Sequence, residues 1–356
     1  MNRLVALAAS LASLAGFAGP VSAAIFCVND SAELQEALDL AEVNDEDDTI
    51  FIAAGFYPAP NAPFGFVYDV QVPVDGDDQA IALLGGWSAG DSCAQQSPDA
   101  SLTVLDGGGA SQVMRLFLRP SSNLTVRYLT FANGNAPMSQ RGGALYIPNV
   151  PGYDGTLRIE NNVFQDNVAD FGGALSVGIA GVADARLFVV NNLLAFNHAT
   201  SQNAAAEFSL GSGQVFLTNN TISFNTSGAP APRAIDIFGD SDFLIANNNF
   251  VTNGGGSDLH LRTTTVTLLH NNIGVRTGDV PDDEAGNISV VPDYQDGEPF
   301  TPVRDSPLVD AGIAPDASWY LTEFDLNVPP RVVGPAVDIG AFENERIFAG
   351  DFQFLP

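Results

Sequence analysis

The stretch Ile159-Glu160-Asn161-Asn162-Val163-Phe164-Gln165-Asp166-Asn167 decides how the rest of the chain is read. A short apolar strand runs into two asparagines, and a bulky apolar residue follows with another asparagine three places on. The phrase returns as Asn191-Asn192 with Leu194 and Asn197, as Asn219-Asn220 with Ile222 and Asn225, and as Asn247-Asn248 with Phe250 and Asn253. A shortened fifth copy begins at Asn271-Asn272. The first asparagines lie 30, 28, 28 and 24 residues apart, a period at which one repeat is one structural unit stacked on the next.

Each repeat holds two strands, the one that ends in the asparagine pair and a shorter one. The short strand reads Arg141-Gly142-Gly143-Ala144-Leu145-Tyr146-Ile147, returns as Gly172-Gly173-Ala174-Leu175-Ser176-Val177, and decays at 207–210, 234–237 and 258–261. Copies lying side by side at the usual strand spacing of ~4.8 Å would pair each backbone with the coils above and below. Equivalent side chains then form columns. Phe164, Leu194, Ile222 and Phe250 make the core column, and the asparagines can form amide ladders of the kind seen in other parallel in-register stacks. They hold a turn and are not ligands or catalysts. The fold class predicted is all-β, a right-handed single-stranded parallel β-helix with a short N-terminal capping helix.

Outside the repeats, Met1-Asn2-Arg3 followed by an apolar run and Val21-Ser22-Ala23 reads as a signal peptide over 1–23. Export follows, to the medium or to the cell surface of a Gram-negative bacterium. Cys27 is not preceded by a lipoprotein-type box, and no later segment is long and apolar enough to span a bilayer as a helix. In an exported chain the two cysteines, Cys27 and Cys93, favour one disulfide, with two buried thiols as the alternative. Asp30-Ser31-Ala32-Glu33 looks like a helix start with its capping box, and Leu34, Ala37, Leu38 and Ala41 follow at helical spacing. Such a helix would cover the open end of the stack. The acidic run Asp45-Glu46-Asp47-Asp48 leads into the strand 49–52, and further strands are expected at 81–84, 113–118 and 124–131.

The net charge is −29 and all 13 basic residues are arginine. Such a surface repels phosphate backbones and anionic lipid, which sets nucleic acid and membrane aside as partners. An anionic polysaccharide would be repelled too unless Ca²⁺ bridged it. The acidic loops Asp75-Gly76-Asp77-Asp78 and Asp282-Asp283-Glu284 offer the oxygen ligands that Ca²⁺ takes, but neither has the spacing of a known Ca²⁺ loop. Both read as solvated turns, and no cofactor or metal site is assigned.

Three resemblances follow from these residues. Capping helix, acidic turn, strand and glycine turn, in that order, resemble the entry to β-helices of the pectin-lyase-like group. Gly-Gly-Ala-Leu with Phe-x-x-Asn, as at Phe164 to Asn167 and Phe250 to Asn253, is similar to the repeats of polymorphic outer membrane proteins. Those adhesins end in a membrane β-barrel, for which too few residues follow the last repeat here. The third resemblance rests on Asp305-Ser306-Pro307-Leu308-Val309-Asp310-Ala311-Gly312, Phe324-Asp325-Leu326, Pro330-Arg331 and Val337-Asp338-Ile339-Gly340-Ala341-Phe342-Glu343. Together they resemble a choice-of-anchor Q module, which implies a surface or secreted role without a defined reaction. The organisation expected is therefore signal peptide 1–23, β-helix with its cap 24–300, a module 301–343 closing the far end of the stack, and an aromatic tail 344–356.

Chemistry is sought on the outward face of the short strands, because a strand alternates faces. With Leu145, Leu175, Phe208, Ile235 and Leu259 inward, one outward column reads Ala144, Ala174, Glu207, Ala234, Asp258 and the next Tyr146, Ser176, Ser209, Asp236, His260. Arg233 and Arg262 flank them. Asp236, Asp258 and His260 are the candidate catalytic residues, with Glu207, Arg233 and Arg262 as substrate-binding candidates. Paired carboxylates serve glycoside hydrolysis, and in a lyase a base such as His260 would take a proton beside a neutralised uronate. The arginine-rich lyase phrase, the Gly-His-Gly of polygalacturonases and the Asp-Pro-His of mannuronan epimerases are absent from the sequence. Ser209, Asp236 and His260 share a column in this reading, yet a flat strand supplies no oxyanion hole. His198 and His270 sit beside asparagine turns and read as structural. Phe188, Phe216 and Leu244 form an outward apolar column on the long strands, which a loop or the aromatic tail should cover.

The function expected is non-enzymatic binding of carbohydrate or another envelope component by a monomer. The alternative is a polysaccharide lyase or glycoside hydrolase working on the short-strand face.

Overall fold

The computed structural model describes residues 23–344, apart from 45, 61, 71–78, 91, 139, 255 and 317. Residues 1–22 of the signal peptide, Asp45 of the acidic run, the acidic loop at 75–78 and the aromatic tail from 345 lie outside the described residues.

The chain winds as a parallel β-helix. The long-strand column includes Leu124–Arg127, Thr156–Glu160, Arg186–Val190 and Gln214–Thr218, paired parallel and in register. The short-strand column includes Met114–Phe117, Leu145–Tyr153, Leu175–Gly181 and Ala206–Leu210. Arg233–Ala246 and Ser257–Leu269 run unbroken through both columns and fuse them into one sheet. A second sheet stacks Thr130–Ala132, Val163–Gln165, Leu193–Ala195, Thr221–Ser223 and Asn249–Val251. In it Phe164, Leu194, Ile222 and Phe250 are register partners and fully buried, as the repeat implied.

The asparagine pair divides its work. Its first member turns the corner: Asn161, Asn191, Asn219 and Asn247 have φ of 53°, 57°, 56° and 58°, a left-handed region that asparagine tolerates better than most residues. Its second member carries the ladder. The Nδ2 of Asn162, Asn192, Asn220 and Asn248 donates to the Oδ1 of Asn192, Asn220, Asn248 and Asn271 in turn, at 2.9–3.2 Å. Asn271 is thus the partner of Asn248, 23 residues on, and not the first member of a fifth pair 24 residues after Asn247. His270, with φ 50°, turns that corner, and its Nδ1–H donates to the carbonyl of Ala311 at 2.8 Å. A second ladder runs through Asn167, Asn197, Asn225 and Asn253 at 2.9 Å per step. Expected as one strand, 124–131 breaks at Tyr128 (φ 57°) for the same corner.

The repeat's glycines have equally local causes. Gly142 and Gly172 have φ of 62° and 58°, and a Cβ on Gly143 would lie 2.4 Å from the carbonyl oxygen of Val168. The first glycine is needed for its backbone angle and the second for space.

At the N-terminal end the helix Ser31–Ala41 is capped by Asp30, whose Oδ1 accepts from the backbone of Ala32 and Glu33. Leu34, Ala37, Leu38 and Ala41 are buried in the core that continues through the coils. Cys27 and Cys93 form a disulfide across 66 residues. Closing a loop of that length removes chain entropy worth about 4 kcal/mol in the loop-closure description.

The module 301–343, expected to close the far end of the stack, docks along its flank. Its contacts run down successive asparagine corners: Phe324 O accepts from Asn161 and Asn191, Asn247 bonds Ile313 through both ends of its amide, and Ala341 N donates to Thr221 Oγ1. Trp319 packs with Phe188, Phe216 and Ala246, joined by Ile313, Tyr320, Leu321 and Leu244. The outward column Phe188, Phe216, Leu244 is therefore covered by Ile313, Trp319, Tyr320 and Leu321.

The module's own interior is acidic. Asp325, Asp338, Glu343 and Arg331 are all buried. Burial pushes Asp325 up to about 6, against backbone hydrogen bonds that pull it down, and burial also raises Asp338 and Glu343. With folded values above the unfolded ones, the native state holds more protons, so this contribution is complete below the ordinary carboxylate range and is lost as pH rises through about 6. Thermal melting of the full chain should accordingly show firmer packing of Trp319 at pH 5 than at pH 8. A Trp319 fluorescence transition that moves the other way would refute this.

Candidate binding face

Register decides which side chains share the short-strand face. Tyr146, Ser176, Glu207, Asp236, His260 and Thr277 are successive partners. Glu207 therefore stands in the column of Asp236 and His260, two positions from its expected place beside Ala174 and Asp258. Ser209 moves with it, aligning with Gly178, Phe238 and Arg262, so Ser209, Asp236 and His260 share no column. On the inward side Ala206, not Phe208, is the partner of Leu175 and Ile235.

The carboxylates of this face are buried and engaged. Asp236 is 1% exposed. Arg262 donates to both its oxygens, from Nε at 3.1 Å and from a terminal nitrogen at 2.5 Å, and Arg233 approaches Oδ2 at 3.1 Å. This is the fork geometry in which a guanidinium pairs a carboxylate most firmly. Glu207 accepts from Arg141, from Ser176 Oγ at 2.8 Å and from Asn203 Nδ2 at 3.0 Å.

Asp258 stands apart. Its Oδ1 accepts from both the backbone N and Nδ2 of Asn253, and its Oδ2 from Val275 N. It supplies the last acceptor of the second amide ladder. Burial raises its pKa while these hydrogen bonds oppose the rise.

His260 is half-buried at the edge of the patch, with Nδ1 2.7 Å from Thr277 Oγ1. Burial, then the Arg233 charge, lower its pKa, which keeps the ring neutral at pH 7. His198 pairs with Thr226 on a different sheet.

The aromatic side of the face was not legible beforehand. Arg115 lies over the ring of Phe64 at 4.2 Å, with Tyr146 at 5.3 Å and Phe117 at 5.8 Å. Arg262 lies over Phe238 at 4.5 Å and Arg141 over Phe171 at 4.8 Å. The only sequence signal was Arg115 at an outward position in Met114-Arg115-Leu116-Phe117, and Arg141 just before Gly-Gly. Four of the chain's arginines thus gather on one face of a protein whose net charge is −29. Solvent meets guanidinium edges and half-buried rings there, with side-chain exposures of 48% for Arg262 and 43% for Arg141.

Asp282 accepts from Val266 N and Glu284 pairs with Arg276. Among the described residues no three His, Cys, Asp or Glu side chains are grouped to hold a metal ion, and no helix is long and apolar enough to cross a membrane. Compared with protein-family models, with curated proteins and with solved structures, the chain finds no match.

Proposed function

We propose that this is an exported β-helix protein whose short-strand face binds carbohydrate or another envelope component without transforming it. The observation that carries the reading is the bracketing of Asp236 by Arg262 and Arg233. A general acid or base needs a carboxylate able to trade a proton with substrate, whereas Asp236 and Glu207 serve to hold guanidinium groups in place. Arg262, fixed in this way over the ring of Phe238, and Arg115, held by Gln112 and Gln140 beside Phe64 and Tyr146, form a rigid polar and aromatic surface suited to a sugar chain. The signal peptide, a pectin-lyase-like origin with repeats akin to polymorphic outer membrane proteins, and a choice-of-anchor Q identity for 301–343 belong to the same proposal.

The test is a glycan array with an envelope pull-down on the secreted full chain. Binding should fall roughly tenfold in Arg262→Ala and Tyr146→Ala, the loss expected when one stacked or charged contact of about 1.4 kcal/mol is removed. Binding no better than that of an unrelated acidic protein would sink the proposal. Unsaturated products or new reducing ends that disappear in His260→Ala would transfer the face to the lyase or hydrolase reading.

A further inference from the structure

The module's position on the flank creates a cleft of about 850 Å³. Its floor is the outward column of the second sheet, Val104, Val163 and Leu193, and its roof is Phe300, Leu326 and Phe342 from the C-terminal part of the chain. This lies on a different sheet from the arginine-bearing face and uses none of its residues. We infer that the cleft is a second ligand site, and that its ligand is a short neutral oligosaccharide.

Three observations select that class. The size falls within the ~300–1,000 Å³ of ordinary ligand sites, which favour the junction of two structural units. The charge is one-sided: no arginine or histidine lines the cleft among the described residues, while Asp99 and Glu343 do. Asp99 accepts from Ser101 through Oδ1, and Glu343 is engaged by Arg331 and the backbone of Asp338. An anionic ligand would find no counter-charge in this lining. Lastly, apolar floor and aromatic end are rimmed by carboxamides, Gln165, Gln295, Asn327 and Asn344. Phe196 is 51% exposed at φ 60°, and its ring sits 5.9 Å from that of Phe300. Pyranose rings present an apolar C–H face to such aromatic surfaces and hydroxyls to amides; an acyl chain would leave the amide rim unused.

The experiment is calorimetric titration of the full chain with neutral cello-, malto-, xylo- and manno-oligosaccharides, with oligogalacturonate and laurate as charged and acyl controls. One neutral series should bind saturably, and Phe196→Ala and Val163→Arg should each weaken it at least tenfold while Arg186→Ala, at an exposed long-strand position outside both surfaces, leaves it unchanged. Phe196 is half exposed, so its truncation spares the core; a melting curve checks Val163→Arg. Binding of laurate or oligogalacturonate alone, no binding of any neutral series, or full affinity in Phe196→Ala would overturn the inference. So would sugar binding that appears only when the chain is cut after Asn344, because the aromatic tail would then be the natural occupant. Loss of affinity in Arg262→Ala with retention in Phe196→Ala would place the sugar on the short-strand face and reject the cleft.

Discussion

Asn220→Ala is expected to cost about 4 kcal/mol of folding free energy, while Asn219→Gly, one residue earlier, should stay within about 1 kcal/mol of the parent. Asn220 is fully buried. Its Nδ2 donates to Val189 O, Thr218 O and Asn248 Oδ1 at 2.8–3.0 Å, and its Oδ1 accepts from Asn192 N and Nδ2. Truncation strands the backbone N–H of Asn192 and weakens the partners above and below, and an orphaned buried group costs ~1–3 kcal/mol. Asn219 is equally buried, yet neither end of its amide has a hydrogen-bond partner among the described residues. What its position requires is φ 56°, which glycine adopts freely, so relief of backbone strain offsets glycine's larger loss of chain entropy. Urea unfolding of the two variants decides the matter. Equal losses would refute the division of labour between the two asparagines.

Arg331→Leu should release or unfold the C-terminal module, because each buried carbonyl left without its donor costs about 1–3 kcal/mol. Arg331 is 2% exposed, donates to the carbonyls of Asp338 and Gly340 at 3.1 and 2.6 Å, and lies 3.3 Å from Glu343. Leucine leaves Glu343 beside Asp338 with no positive charge, and leaves two carbonyls without this donor. The next residues along are the ones that dock: Gly340 N reaches Asn247 O, and Ala341 N reaches Thr221 Oγ1. The chain has two tryptophans, so a Trp87→Phe background isolates Trp319, whose emission should shift to the red as Phe188 and Phe216 are uncovered. Arg276→Ala, which removes an exposed pair with Glu284, serves as the control and should cost less than about 1 kcal/mol. Parent-like emission in Arg331→Leu would show that the module is held elsewhere.

The fold was legible because its strongest signals are periodic. Phe164, Leu194, Ile222 and Phe250 stand at the same offset from their asparagines, and each backbone in a stack repeats its neighbour's demands. The cap was legible through Asp30 and the helical spacing of Leu34 to Ala41. Two kinds of information were hidden. In the third coil Gly-Gly-Ala-Leu is replaced by Asn203-Ala204-Ala205-Ala206, and alanine marks neither face. A slip of two residues preserves the alternation of inward and outward side chains, so Glu207 fitted the wrong column as well as the right one. Substitution hid the fifth corner in the same way, with His270 standing where asparagine was expected. The docking of 301–343 has no periodic signature at all, because a flank contact such as Phe324 with Asn161 and Asn191 is specified by shape between distant segments. Tyr146, Arg233 and Arg262 were placed on this face by alternation, whereas the contacts of Arg115 with Phe64 and of Arg141 with Phe171, assembled from loops and strands of different coils, emerged only from three-dimensional pairing.

The amide ladders have one more property. Within each row every Oδ1 receives a proton donor from the preceding coil and every Nδ2 donates to the following one, so the carboxamide dipoles point the same way. Their sum leaves a partial positive charge where the row ends, as aligned peptide units do at the start of a helix. In the second row the final donor is Asn253, and the acceptor it meets at 2.9 Å is Asp258. A carboxylate stands where one more coil would have placed an asparagine. Asp258, first picked out for its chemistry, is thus the counter-charge that ends a one-dimensional array of dipoles.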